Sequence, residues 1–296
     1  MGRIRLGIST WSTPELEKSG FYPPEVKSAA GRLSYYASRF SVTEIDSSYH
    51  FFPTAHNMEL WLENAPDGFV FDVRAFSLFT GQPTPLNSLP KSIGDKYGSR
   101  IQAKGNIYLH HLPEEAIEEL WAVFGADVDR FHEAGKLGAV LFQFPPWFHP
   151  GPDSYGYIAS CRNRLSQHRM AVEFRAGSWL EQHKEETLQF LRKLDITLVC
   201  VDEPQGFSSS LPPVAEATSD LAIIRFHGRN AGTWEKKGIP ADERFNYLYS
   251  EEELKEWLPR IKQLAQTAEV HVIFKNKHLD FPLRNVLQMQ SLLGLT

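Results

Sequence analysis

Residues 223–230 read Ile-Ile-Arg-Phe-His-Gly-Arg-Asn, the pattern of a buried strand that ends abruptly in charged residues. Successive side chains of a strand point to opposite faces. Ile224 and Phe226 can therefore face one apolar layer while Arg225 and His227 face the other way. Several other apolar runs in the chain end in polar residues in the same manner, which predicts one pocket built where many strands finish.

Working outward from this stretch, the apolar runs predict eight strands, at residues 5–10, 42–49, 69–76, 139–144, 169–175, 196–202, 221–228 and 270–276. Apolar spacings of three and four predict helices between them, including residues 33–40, 56–64, 113–124, 179–194, 251–268 and 282–293. Ser250 and Asp280 are suitable N-caps for the last two helices. Strands that alternate with helices predict a TIM-like (β/α)8 barrel. The main rival, a doubly wound sheet, is disfavoured because no GxGxxG follows the first strand.

The longest interval between predicted strands is residues 77–138. It contains a Gly/Pro-rich piece at 81–85 and a helix, but no strand pattern, so we interpret it as an elaborated connection between strands three and four rather than as a second domain. Residues 1–296 are accordingly predicted to form a single barrel domain, a length that α/β barrels commonly fill.

The composition is that of an ordinary globular protein, with 42% hydrophobic and 23% charged residues. A formal net charge of -5 argues against a protein that coats nucleic acid through bulk charge. The chain has no leader-like segment and no long apolar run, and Cys161 and Cys200 do not form a metal or redox motif. We therefore expect a cytoplasmic protein with two buried thiols that does not associate with membranes.

The chain resembles one family, the YecE-like proteins, also called domain of unknown function 72. The matching segments are residues 7–11, 21–23, 43–49 with Pro53, 136–146, 171–175 with Ser178 and Trp179, Asp202 with Pro204, 225–230 with Trp234, and 274–276 with Asn285. The resemblance covers nearly the whole length and implies a TIM-like barrel whose family has no firmly assigned reaction. The chain departs from the family's pattern at residues 80–82, which read Thr-Gly-Gln, and at 274–278, which read Phe-Lys-Asn-Lys-His.

A barrel of this kind carries its active site at the C-terminal ends of the strands. Three residues there are candidates for acid/base chemistry: Glu173 and His227 for proton transfer, and Asp202 for orienting His227 or a substrate hydroxyl. The alternative role of Asp202 is to cap the next turn. The candidates for binding a substrate through charge, hydrogen bonds or aromatic stacking are Thr10, Trp11, Tyr49, Arg175, Trp179, Arg225, Arg229, Asn230, Trp234, Lys275 and Asn276. The competing interpretation is an internal network of ion pairs, in which Glu173 only neutralises Arg175 or Arg225.

These residue types predict an enzyme that acts by acid/base chemistry, of the hydrolase or lyase kind, on a small anionic or phosphorylated substrate. Two alternatives stay open: a nuclease-like or DNA-binding barrel, by analogy of fold alone, and a ligand-binding protein without catalysis. No cofactor is predicted, although Glu173, Asp202, His227 and His278 are of the types that could hold a divalent metal ion. The expected partner is a small anionic ligand rather than nucleic acid, and the sequence predicts no oligomeric state.

Overall fold

The computed structural model describes residues 2–103 and 105–295. The strands are β1 Ile4–Ile8, β2 Val42–Ile45, β3 Val70–Arg74, β4 Thr84–Pro85, β5 Asn106–Ile107, β6 Leu137–Gln143, β7 Met170–Glu173, β8 Ile196–Asp202, β9 Leu221–Phe226 and β10 Glu269–Phe274. The helices are α1 Pro14–Lys18, α2 Ala29–Arg39, α3 Ala55–Asn64, α4 Lys91–Tyr97, α5 Glu114–Glu133, α6 Pro152–Arg164, α7 Ser178–Glu181, α8 Lys184–Lys193, α9 Ala241–Arg244, α10 Glu251–Leu264 and α11 Phe281–Leu293.

Eight parallel strands form one sheet in the order β1-β10-β9-β8-β7-β6-β3-β2. Every strand except β1 and β2, which stand at the two ends of this order, has a hydrogen-bonded neighbour on each side. Helices flank the sheet. The predicted TIM-like (β/α)8 barrel is confirmed. Because all strands are parallel, their C-terminal ends meet at one end of the barrel.

Side chains close the barrel between its first and last strands in that order. The Tyr36 hydroxyl accepts from the Ile8 N–H at 2.8 Å and donates to the Val42 carbonyl at 3.0 Å, and Thr43 donates to the Ile8 carbonyl at 2.9 Å. Gly7 allows this approach, because a Cβ at that position would lie 1.9 Å from the Val42 carbonyl oxygen. A side chain at residue 7 would push β1 away from β2.

The apolar core lies between the strands and the helices, whereas buried charges cross the interior of the barrel. Phe226 of β9 packs outward against Tyr249 and Trp257. Arg225, the preceding residue, points inward and reaches Glu44 of β2, which is not a neighbouring strand. Most barrels of this fold fill that space with branched apolar side chains, so the polar interior needs an explanation from function or from specific pairing.

The connection at residues 77–138 contains a short antiparallel pair, β4 with β5, so the prediction that it has no strand is wrong. The predicted second strand, 42–49, is too long: β2 ends at Ile45, and Asp46–Tyr49 form a 3-10 turn. The reason is local competition for the backbone, since Ser48 donates its hydroxyl to the carbonyls of Ile45 and Arg74.

Two predictions about helices also need correction. Residues 179–194 form two helices, α7 and α8, rather than one. Ser250 caps α10 in a reciprocal capping box with Glu253, as predicted. Asp280 precedes α11 but makes no side-chain hydrogen bond to it.

Among the helices of the described residues, none combines the length and the apolar character needed to cross a membrane.

Candidate functional site

The candidate site is a group of charged and polar side chains that the strands place at the C-terminal end of the barrel interior. We call it the mouth cluster. Its members are Glu44, Asp46, Arg74, Gln143, Glu173, Arg175, Glu203, Arg225, His227, Lys275 and Lys277.

Arg225 is the central cation of the mouth cluster and is fully buried. Its Nε and Nη2 donate to the two oxygens of Glu44 at 2.6 and 2.9 Å, and its Nη1 donates to Oε2 of Glu173. All three nitrogens therefore serve internal carboxylates. Arg225 was predicted to hold a substrate anion, but the geometry gives it the structural role of the competing interpretation.

Glu173 is also fully buried, yet it is held in its ionised form. Burial opposes ionisation, but the Arg225 guanidinium, supported by Arg175 and by the hydrogen bond from His227, keeps the pKa of this carboxyl well below its usual range. Its Oε1 accepts hydrogen bonds from Gln143 Nε2 at 2.5 Å, His227 Nε2 at 3.0 Å and Arg175 Nη1 at 3.2 Å. This one oxygen brings three polar side chains of the site together.

His227 is a neutral imidazole with one nitrogen fixed and the other unused. Burial lowers the pKa of His227 to about 4, against the opposing pull of Glu173. Because Glu173 is ionised, Nε2 carries the proton and donates it to Oε1. That leaves Nδ1 with a lone pair, and this buried atom has no hydrogen-bond partner among the described residues. An unpaired buried nitrogen is costly unless a ligand uses it.

Arg175 is a cation of the cluster with two nitrogens that donate to none of the described acceptors. Its Nη1 lies 3.2 Å from Glu173 Oε1 and 3.0 Å from Glu203 Oε2, and the guanidinium stacks 4.5 Å from the ring centre of Trp234. Over residues 2–103, 105–240 and 243–295, its Nε and Nη2 donate to no acceptor, and the side chain is 16% exposed. An anion could reach these two groups from solvent.

Asp46 organises the opposite side of the mouth cluster. It accepts from Arg74 and Lys275, both at 2.7 Å, and from Lys277. Burial disfavours the charge on Asp46, but Lys275 and Arg74 keep its pKa well below its usual range. Burial also lowers the pKa of Lys275 to about 7, helped by Arg225. Lys275 therefore joins the cluster, as predicted, but as a partner of Asp46.

Asp202 does not lie in the mouth cluster, so the prediction that it orients the His227 imidazole is wrong. Its carboxylate accepts from Tyr249 at 2.7 Å, from Trp257 at 2.6 Å and from Arg229 at 2.7 Å. The cause is strand parity: Asp202 pairs in register with the outward-facing Phe226 and shares its face.

Three of the predicted substrate-binding residues contact loops and helices outside the mouth cluster: Arg229, Asn230 and Asn276. Arg229 was predicted to bind the substrate, as Arg225 was, but it binds Asp202 and also Glu256 at 2.7 Å and does not lie beside Arg225. Asn230 donates to the carbonyl of residue 246, and Asn276 donates to the carbonyl of residue 247 and to Asn285. These bonds anchor the connection between β9 and α10, which covers His227.

The four predicted aromatic residues have separate environments. Trp179 is fully buried and stacks on Phe174 at 4.0 Å, so it belongs to the core. Trp11 packs edge-on against Trp61. Tyr49 lies under the Arg74 guanidinium at 4.2 Å, and Trp234 lies beside Arg175 with its indole N–H on Ser209. Only the last two rings contact cations of the mouth cluster.

Thr10 lies beside the cluster rather than in it. It lines a cavity of about 290 Å³ between the ends of β1 and β10, together with Lys277 and His278. The set proposed for a divalent metal does not converge, because Asp202 faces away from Glu173 and His227. Within the described residues, no group of three or more His, Cys, Asp or Glu side chains has the geometry to hold a metal ion.

Two buried carboxyl groups of the site, Glu44 and Glu203, were not predicted from the sequence. Glu44 neutralises Arg225, and Glu203 contacts Arg175. Glu44 precedes Ile45 on a strand with alternating polarity, so its inward direction was readable from the pattern. Glu203 follows the end of β8, and its direction depends on how the chain leaves the strand. The sequence carries no signal for that.

Residues 5–296 match the family described as protein of unknown function DUF72. UPF0759 protein YunF of Bacillus subtilis (strain 168) is 30% identical over 99% of this chain and 95% of its own length. A DUF72 family protein of Enterococcus faecalis V583 has 27% identity and a TM-score of 0.80, covering 99% of this chain and 96% of that one. One from Thermotoga maritima MSB8 has 29% identity and a TM-score of 0.74, covering 99% of both chains. The resemblance inferred from the sequence motifs is thereby confirmed, and the chain belongs to the DUF72 family.

Proposed function

We propose that this protein is an enzyme that binds a small anionic substrate at Arg175 and moves a proton through Nδ1 of His227. The observation that carries the proposal is the state of His227, whose Nε2 is fixed by Glu173 while its Nδ1 is buried and unpaired. A neutral imidazole oriented by a carboxylate is the arrangement of a general base.

Glu173 has two effects in this proposal. It selects the tautomer that leaves Nδ1 free, and it stabilises the imidazolium that forms when Nδ1 accepts a proton. With a pKa of about 4, His227 alone is a weak base. An anion bound at Arg175 brings negative charge to the site and raises that pKa, so proton transfer is favoured only when substrate is present.

Arg175 is the anion-binding group because its Nε and Nη2 donate to no described acceptor. Its Nη1 and the His227 Nε2 both contact Oε1 of Glu173. We expect an anion on the free side of Arg175 to lie in the same cluster as the imidazole. Trp234 and Phe245 pack near the His227 ring, with ring centres 6.3 and 6.0 Å away, and exclude water from it.

The test is a turnover screen with matched variants. Small carboxylates and phosphate monoesters are incubated with wild type, His227→Asn, Arg175→Gln and a control, Arg169→Gln, and are followed by 1H and 31P NMR. Arg169 pairs with Asp220 and Glu269 near the N-terminal end of the barrel, so its replacement leaves the mouth intact. We expect at least one compound to be converted by wild type and the control, and by neither mouth variant.

Equal conversion by wild type and His227→Asn would refute the role of the imidazole. Binding of a compound at Arg175 without any chemical change, across the whole panel, would instead favour the ligand-binding alternative.

A further inference from the structure

Glu203 is a buried carboxyl group with few partners. It follows β8 directly, and its side chain is fully buried. Oε1 accepts from the N–H of Leu211 at 2.7 Å. Oε2 lies 3.0 Å from Arg175 Nη1, but the contact lacks the direction of a hydrogen bond, and within the described residues this oxygen has no hydrogen-bond partner. A buried ionised carboxylate with so few donors is poorly stabilised.

Arg175 is shared between two carboxyl groups that differ in their other partners. Glu173 also has Arg225, Gln143 and His227, so it remains charged without Arg175. Glu203 has no cation other than Arg175 within 4.0 Å in the described structure. If Arg175 turned its charge toward a ligand, Glu203 would be the group left uncompensated.

We propose that Glu203 is a positioning residue that releases Arg175 to the anionic ligand by taking up a proton from solvent when the ligand binds. The inference rests on the proposed anion site at Arg175. The neutral carboxyl group keeps its bond to Leu211 and no longer competes for the guanidinium, so the positive charge of Arg175 becomes available to the incoming anion. Ligand binding and protonation of Glu203 are then coupled, and each strengthens the other.

The surroundings of Glu203 favour this coupling near neutral pH. Burial raises the pKa of Glu203 to about 7, against the effect of Arg175, and the nearby charges of Glu173 and Asp202 add to the rise. His227 is uncharged in this range. Lys275 is the other group of the mouth cluster with a pKa near 7, but it contacts Asp46 and Glu44, and not Glu203. Its titration must be separated from that of Glu203.

Sulfate is a suitable probe because it stays doubly charged across the relevant pH range. We expect wild type to bind sulfate about tenfold more weakly at pH 8 than at pH 6, because near pH 8 about a tenth of Glu203 is protonated. We also expect binding at pH 8 to take up close to one proton per sulfate, measured with an indicator dye in weakly buffered solution. Glu203→Gln should bind sulfate about tenfold more tightly than wild type at pH 8, with little pH dependence and no proton uptake.

Arg175→Gln separates the failure of this inference from that of the proposed function. If wild type and Arg175→Gln bind sulfate equally, or if wild type does not bind it, both the anion site and the coupling are wrong. If sulfate binds through Arg175 without proton uptake, the coupling alone is wrong. Uptake that persists in Glu203→Gln would assign the proton to Lys275 or His227 and overturn the role of Glu203. If Glu203→Gln folds poorly, the absence of proton uptake by wild type on binding sulfate still overturns the coupling.

Discussion

Replacing Arg225 by methionine should be strongly destabilising, because it removes the fully buried cation that two fully buried carboxylates share. Arg225 binds both oxygens of Glu44, at 2.6 and 2.9 Å, and one oxygen of Glu173, and all three side chains are inaccessible to solvent. Methionine has a similar length but no charge. Loss of one partner from such a buried network costs about 3–5 kcal/mol, which we expect as the drop in unfolding free energy measured by urea denaturation at neutral pH.

Two further proteins sharpen this experiment. Lys91→Met removes an exposed ion pair with Asp95 on α4 and should leave the unfolding free energy unchanged. Adding Glu44→Gln to Arg225→Met should recover part of the loss, because it removes one of the uncompensated charges. The reasoning is refuted if Arg225→Met lies within about 1 kcal/mol of wild type, since the buried charges would then be compensated by other groups.

The remaining predictions concern His227 and Asp202. The pKa of His227 is about 4 rather than 6.5, so its contribution to stability is fully present above pH 6.5 and is lost as the pH falls through 4. The full loss of unfolding free energy is roughly 3 kcal/mol. In urea denaturation, the unfolding free energy of His227→Gln should fall less steeply than that of wild type over this pH range. Parallel curves for the two proteins would contradict the assignment. Asp202→Asn should lower the unfolding free energy by about 2 kcal/mol, because a carboxylate with three donors is replaced by an amide. At pH 6, where most of Glu203 is already protonated, its affinity for sulfate should equal that of wild type, and a clear loss of affinity would place Asp202 in the ligand site after all.

The fold could be predicted because its signals are local. Each buried strand reads as an apolar run, and the alternation within residues 223–230 correctly placed Arg225 and His227 on the inner face. The ends of strands were less predictable. Ser48 and Asp46 turn the chain after β2 by bonds to residues near β3 and β10, which the local pattern does not contain.

The pairing of charges could not be predicted, because it depends on the register between strands far apart in sequence. Asp202 and Arg225 both lie at strand ends, but in-register pairing with Phe226 turns Asp202 outward. Neighbouring residues of a strand face opposite sides, so this register directs Asp202 to Arg229 outside the barrel. The carboxylate that meets His227 inside the barrel is Glu173. Glu44 and Arg225 are 181 residues apart, and only the closed barrel brings them together.

The measurement that tests the central claim most directly is the protonation state of His227, read from the ring nitrogens by two-dimensional 1H–15N NMR, with His227→Gln used to assign the signals. The account predicts a neutral ring at pH 7 with the proton on Nε2, an unprotonated Nδ1, and no titration until the pH falls toward about 4. A ring protonated on both nitrogens at pH 7, or a proton on Nδ1 alone, would remove the free base from the site and contradict the proposed chemistry.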